Sequence, residues 1–323
     1  MKNLVKIVTI LLVSLLAFSC ASSLSATRTR PAELDLNGAN SIAVLPFQVN
    51  SKQTEVVNIL GLFAFTVGNT NSDEVKLASE VTNAVQEMFL NSGYMQVVGS
   101  QRVQEALQGN TAIPCDVYIS GSILEFSNKI NSSTTKNKDG SETTNYKRDL
   151  QFTVRYEVID SQTNRVIDMK TKTLSNSSSY YSSRSSVSSM LEVAKPEINE
   201  LVSDIKKQIQ PYTVTKSFSM KKIKSDDSLV KEATAAVKAG SVNDALDKYL
   251  ALYNKTGIYE AGHNAVLLLQ YKENYSEAKA LCQELYNKTG SKDASRLLSD
   301  IEKEIMYQNK LQKQNTARSI RAN

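Results

Sequence analysis

The sequence predicts an α/β (α+β) domain built on a mixed sheet, followed by an all-α segment of helical hairpins. Three observations predict this. Strand-like and helix-like periods alternate from Ser41 to Ile209, and from Ser225 the chain becomes poor in Gly and Pro and rich in Ala, Leu, Lys and Glu. The pentapeptide YNKTG also occurs twice, at 253–257 and at 286–290, thirty-three residues apart. A length of 323 residues allows two domains, and 41% hydrophobic with 22% charged residues suits a chain that fills a core.

The chain opens MKNLVKIVTILLVSLLAFSC, with Lys2 and Lys6 ahead of an apolar run from Ile7 to Phe18. This is the layout of a secretory signal peptide over residues 1–20. The run is short for a span that needs about twenty residues, although an anchoring helix and a plain secreted protein stay open as alternatives. LAFSC resembles the lipobox of bacterial lipoproteins, with Ala17 and Phe18 departing from its usual pattern. The resemblance implies that Cys20 is the first mature residue and the site of lipid attachment. It places the protein in the cell envelope, on the outer membrane facing the periplasm. Residues 21–40, with three Ser, two Thr and one Pro, have few apolar groups and read as a flexible tether. Cys115 and Cys282 fall in different domains and read as small buried hydrophobes without a disulfide. The formal charge of +5 drops to +3 without Lys2 and Lys6, too little to point to nucleic acid.

The sheet domain is expected over residues 41–212. SIAVLPFQV, residues 41–49, reads as a strand buried on both faces. Apolar residues from Leu77 to Phe89 recur at three and four positions, Asp73 and Glu74 fill the first turn, and Gly93 marks the stop of a helix. A strand over 94–99, a short helix over 100–109 with Ser100 as cap, and a strand over 115–127 follow. Two further strands, 150–160 and 165–175, alternate in the manner of a sheet with one wet face. A closing helix runs from about Met190 to Ile209.

IAVLPF, SGYMQVVGSQRVQEALQG, YISGSILEFS and VRYEVIDSQTNRVID, in that order, resemble the CsgG/LpoB-like envelope lipoprotein domain. That family includes the curli secretion channel and the activators of peptidoglycan synthases. The channel's membrane hairpins are not implied here, because residues 128–149 carry charge or hydroxyls on both alternating faces around a turn at Asp139-Gly140. The Ser-rich stretch 175–189 reads as a mobile loop or as a small contact patch of Tyr180, Tyr181 and Val187. The stretch 56–69 is apolar, and its Ile59, Leu60, Leu62, Phe63 and Phe65 either pack on the body or form an exposed partner surface.

A linker is expected over 213–227, helical repeats with a capping helix over 228–311, and a disordered tail over 312–323. Aligned at an offset of thirty-three, 240–257 and 273–290 share seven of eighteen residues. Ser241 with Asp244 and Asn274 with Glu277 have the spacing of capping boxes, and each copy ends in Lys and Gly. Ala245, Tyr249 and Leu252, and likewise Ala278, Cys282 and Leu285, share an apolar face. AGHNAVLLLQYKENYSEA resembles tetratricopeptide (TPR) repeats. The resemblance implies a partner-binding groove lined by Glu260, His263, Leu267, Gln270 and Tyr271.

His263 is the single histidine, and no catalytic, metal or cofactor motif is present in the chain. The expected role is therefore a non-catalytic binding, assembly or regulatory factor for another envelope protein, held to the membrane by its lipidated N-terminus. A peptidoglycan synthase or an export machine would be such a partner. The alternative is a subunit of an oligomeric outer-membrane secretion channel of the CsgG type, and homo-oligomerisation stays open.

Overall fold

A computed structural model describes residues 23–49 and 72–322. The expected signal peptide, Cys20 and the apolar stretch 56–69 with Ile59, Leu60, Leu62, Phe63 and Phe65 lie outside them. The chain divides into two units, one of residues up to Pro31 with Thr213–Gln312, the other of Ala32–Tyr212 with Lys313–Asn323.

In the second unit, β2 (Ser41–Val44), β3 (Gln48–Val49), β4 (Gln96–Val98), β5 (Val117–Lys136), β6 (Glu142–Asp160) and β7 (Arg165–Ser177) form one sheet. Its order is β4-β2-β5-β6-β7, with β3 also on β5. The contacts of β2 with β4 and β5 are parallel, and those of β6 with β5 and β7 are antiparallel. The sheet is therefore mixed, as expected. Helices α1 (Asp73–Ser92) and α3 (Met190–Ile209) bury Leu77, Val81, Phe89, Leu201 and Ile205 in one core with Ile42, Val44, Ile119 and Val154. A second core holds Ala43, Leu45, Tyr118 and Ile159 with Val103 of α2 (Ser100–Gln108). Cores on both sides of β2 explain its unbroken apolar run.

Ser72 caps α1 by accepting from the Val75 amide, and Ser189 and Glu192 form a reciprocal capping box on α3. The α2 cap is Gly99, so the expected cap Ser100 is the first helical residue instead. Strands β5 and β6 also run past the ends of their apolar alternation. Residues 128–149 form a polar hairpin arm with Thr134 opposite Thr144 and Lys136 opposite Glu142, closed where Gly140 takes φ +82°. Backbone hydrogen bonds and cross-strand hydroxyl pairs carry such a ladder without apolar side chains. In the Ser-rich stretch, Tyr181 bridges to Tyr146 and its hydroxyl lies 2.7 Å from Ser188 Oγ, while Tyr180 remains exposed.

In the other unit, α4 (Ser228–Lys238), α5 (Val242–Thr256), α6 (Tyr259–Tyr271) and α7 (Tyr275–Thr289) pack each against the next. The repeated YNKTG is a repeated helix end. Gly257 and Gly290 take φ +69° and +62° and donate to the carbonyls of Tyr253 and Tyr286 at 2.7 and 2.8 Å. Thr256 and Thr289 donate their hydroxyls to Leu252 and Leu285 carbonyls at 2.6 and 2.7 Å. The capping boxes do not form. Ser241 and Asn274 hold the N-cap positions with ψ of 71° and 65°, away from the extended backbone that would aim a side chain at the third amide.

Three segments read as unstructured are ordered. Residues 23–30, expected in the tether, form strand β1 (Ser23–Arg30). It pairs with β8 (Tyr212–Ser219), which takes up the start of the expected linker. The expected tail continues α8 (Lys292–Ala322) well beyond Leu311. Apolar spacing lapses there, and polar contacts hold the helix end instead. Gln314 exchanges 3.0 Å bonds with both backbone groups of Ala32, Arg321 meets Asp116 at 2.6 Å, and Arg318 lies over the Tyr94 ring and donates to the Tyr94 carbonyl.

Gly38, at φ +77°, lets this helix approach, since a Cβ there would sit 2.4 Å from the Ala317 carbonyl oxygen. Gly38→Ala therefore combines left-handed strain with a backbone clash. It should lower unfolding free energy by about 1–3 kcal/mol in urea titrations, whereas Gly140→Ala, with no such neighbour, should cost about 1 kcal/mol.

Candidate functional site

The residues expected to line a partner groove are covered from within their own unit. β1 and β8 each alternate strictly. Ser23, Ser25, Thr27 and Thr29, with Thr213, Thr215, Ser217 and Ser219, face solvent, while Leu24, Ala26, Arg28 and Arg30, with Val214, Lys216 and Phe218, turn inward. The inward side chains lie on the helices. Arg28 donates to the carbonyls of Gln270 at 3.1 Å and Tyr271 at 2.5 Å, and to Glu273 at 2.7 Å. Lys216 reaches the Gln270 Oε1 at 3.2 Å, and the Phe218 ring meets that of Tyr271 edge-on with centroids 5.7 Å apart.

Gln270 is consequently buried and Leu267 and Tyr271 half-buried, which corrects the open groove. A two-stranded ribbon, supplied by the segments read as tether and linker, occupies that face. The signal was present as the period-2 strings SLSATRTR and TVTKSFS, whose apolar share is too low to mark a strand by hydrophobicity alone. His263, also expected in the groove, is buried with its Nε2 3.3 Å from Asp293 Oδ2 and its Nδ1 without a hydrogen-bond partner among the described residues. Glu260 is half-buried at the start of the same helix.

The electrostatic centre of this arrangement is Glu304 on α8. Its carboxylate accepts both Arg30 guanidinium nitrogens at 2.5 and 2.7 Å and Lys216 Nζ at 2.9 Å, with 6% of the side chain exposed. Burial alone would raise the Glu304 carboxyl, but Arg30 and Lys216 outweigh it and hold it below the usual range. The Arg30 guanidinium also lies 4.5 Å from the Tyr307 ring centroid.

In the sheet unit, a cleft of about 300 Å³ is lined by Glu33, Tyr156, Lys170, Thr171, Lys172 and Asp204. Burial raises the Tyr156 phenol, whose hydroxyl donates to Gln208 Oε1 at 3.0 Å. Lys172 is tied to Glu200 and Asp204, and although burial opposes it, those carboxylates raise its ammonium. Burial likewise raises the Cys115 thiol, and it raises the Cys282 thiol to about 11. These shifts keep phenol and thiol protonated and the lysine charged near neutral pH, the reverse of activating a nucleophile or base.

A third surface is the edge of β7, which has no strand on its outer side among the described residues. A register shift sets Val158 opposite Asp168 and Ile159 opposite Val166, leaving Ile167 as the extra residue. Val166, Ile167 and Met169 are 48%, 37% and 47% exposed. Among the described residues, no group of His, Cys, Asp and Glu could hold a metal ion, and no helix is long and apolar enough to cross a membrane.

Neither a protein-family model nor a curated protein matches this chain. Part of this chain is similar to most of several solved bacterial structures. One is the PelC dodecamer from Paraburkholderia phytofirmans, with 15% identity and a TM-score of 0.30 over 58% of this chain and 99% of that one. The lipoprotein GNA1162 from Neisseria meningitidis shows 13% identity and a TM-score of 0.25 over 53% and 97%. The LpoB C-terminal domain from Salmonella enterica shows 11% and 0.22 over 42% and 82%.

Glu304→Gln keeps the shape of the site but leaves Arg30 and Lys216 uncompensated. It should cost about 3 kcal/mol of unfolding free energy in thermal or urea melts. The buried His263 gives a pH signature in the same unit. Burial lowers its pKa from 6.5 despite Asp293, so the unfolded chain takes the proton first. Stability attributable to His263 is complete above about pH 6.5 and declines as pH falls below it. His263→Gln should flatten the stability profile between about pH 5 and 6.5, a window in which the depressed Glu304 and Asp293 carboxylates stay ionised.

Proposed function

We propose that this chain is a lipid-anchored protein of the bacterial cell envelope that acts by binding, as a non-catalytic assembly or regulatory factor for another envelope protein. The observation that carries the reading is the edge of β7, where Val166, Ile167 and Met169 stand exposed on a strand with one side unpaired among the described residues. Such an edge offers unpaired backbone groups for strand addition and apolar side chains for affinity. The protonation states in the cleft and at the two thiols support a role other than catalysis.

The resemblance of IAVLPF, SGYMQVVGSQRVQEALQG, YISGSILEFS and VRYEVIDSQTNRVID to CsgG/LpoB-like domains supports a partner such as a peptidoglycan synthase or an export machine. The α4–α7 hairpins are taken as TPR-like scaffolding whose usual binding face is filled by β1 and β8. The polar arm argues against the channel alternative, because a lipid-facing strand needs an apolar outer face over about ten residues. The address rests on the lipobox-like LAFSC and on Cys20.

A photo-crosslinking residue in place of Met169, in intact cells, should capture one envelope protein, and the same residue in place of exposed Lys238 should not. Equal capture from both positions, or none from Met169, would remove the edge from the reading. Cys20→Ala should release the protein from membranes in flotation gradients. Ring-shaped particles that conduct ions in bilayers would favour the channel instead.

A further inference from the structure

We propose that the lipid on Cys20 holds the helical unit directly on the membrane surface, and that Lys222 and Lys224 rest there on anionic phospholipid headgroups. This rests on the reading of Cys20 as the lipid-bearing residue. Only Ala21 and Ser22 separate Cys20 from β1, and three Cα steps span at most about 11 Å. β1 gives no further slack. Leu24 and Ala26 pack on the helical core, and Arg28 and Arg30 are held by Glu273 and Glu304. A lipid at Cys20 therefore brings the start of β1 to the headgroups.

The ribbon then decides which surface arrives with it. Ser25 Oγ lies 3.4 Å from Ser217 Oγ, and Arg30 and Lys216 meet on the one Glu304 carboxylate; a parallel pairing through the two serines would set those cations six positions, about 20 Å, apart along the ribbon, so the strands run antiparallel. The start of β1 thus sits at the end of β8, where the chain continues Met220-Lys221-Lys222-Ile223-Lys224. Met220 and Ile223 are buried in the helical core. The Lys221 backbone is clamped by Asn264, which accepts from its amide at 2.7 Å and donates to its carbonyl at 2.9 Å, and the Lys221 ammonium is paired with Asp293.

Those anchors leave Lys222 and Lys224 turned outward and exposed, with no ion-pair partner among the described residues. Of the two carboxylates that follow, Asp226 is exposed, while Asp227 caps α4 and pairs with Lys255. Each residue beyond Ser219 adds at most about 3.5 Å. Both ammonium groups are in reach of an anionic surface whose potential decays over about 8–10 Å. The neighbouring outward residues of the ribbon are all Ser or Thr, a face that stays wet against headgroups.

The test uses the full-length lipidated protein in vesicles of phosphatidylcholine, with or without phosphatidylglycerol, and a fluorophore attached through Ser219→Cys. Headgroup-labelled quencher lipids should quench it strongly. A Gly/Ser linker of about twenty residues between Ser22 and Ser23, with an r.m.s. span of about 25 Å, should relieve the quenching on neutral vesicles and leave it largely intact on anionic ones. In that linker variant, Lys222→Glu with Lys224→Glu should weaken the anionic contact about thirty-fold, at about fivefold per lysine.

Membrane-bound protein whose fluorophore is not quenched would overturn the direct seating. A linker variant indifferent to phosphatidylglycerol and to charge reversal would overturn the headgroup contact. Protein that fails to float with lipid at all would instead overturn the Cys20 reading on which both depend.

Discussion

A two-stranded ribbon has too little surface to hold itself together in water, so β1 and β8 exist only through what they lie against. The decisive contact is Glu304. One carboxylate of α8 receives a cation from each strand, Arg30 from β1 and Lys216 from β8, and so ties both strands to the same helix. Removing three charges from water is costly, and the arrangement holds because every one of them is matched by close hydrogen bonds. Phe218, Leu24 and Ala26 then have a surface to cover, and the helical core closes beneath them.

The sheet unit uses the same device on a smaller scale. Asp116 accepts from the Asn40 and Ser41 amides, the Ser41 hydroxyl and Arg321, joining the entry of β2, the entry of β5 and the end of α8. In both units, polar side chains decide where chain segments of low hydrophobicity come to rest. The apolar cores set the helices and the central strands, and the ion pairs set the margins.

That division explains what could be read from the sequence. Helices α1, α5 and α7 announce themselves through apolar residues at three and four positions, and β2 through its run of residues buried on two sides. Gly257 and Gly290 mark helix ends because a left-handed residue is a local requirement visible in one letter. β1 could not be read in that way. Its inward face is Leu, Ala, Arg, Arg, and an arginine gives no sign of being buried until Glu273 and Glu304, more than two hundred residues on, are in place. The same holds for α8 beyond Leu311, where Gln314 and Arg321 find their partners only in the folded chain. Of the candidate groove, the residues were identifiable but their cover was not, since it came from segments whose composition suggested no structure.

The ribbon also imposes an order on folding. Ser25 and Ser217 are 192 residues apart and Arg30 and Glu304 are 274 apart, so the helical unit is assembled from segments on either side of a sheet unit inserted in its sequence. The sheet unit in turn borrows Gln314, Arg318 and Arg321 from the far end of the chain. Contacts of such separation form slowly, because a long loop must close before they contribute. A chain that emerges N-terminus first, from a ribosome or through a membrane pore, cannot complete the helical unit before Glu304 is free or the sheet unit before Arg321 is free. Residues 23–30 would meanwhile wait as an unpaired strand, the state in which a chaperone or a second chain finds its easiest hold.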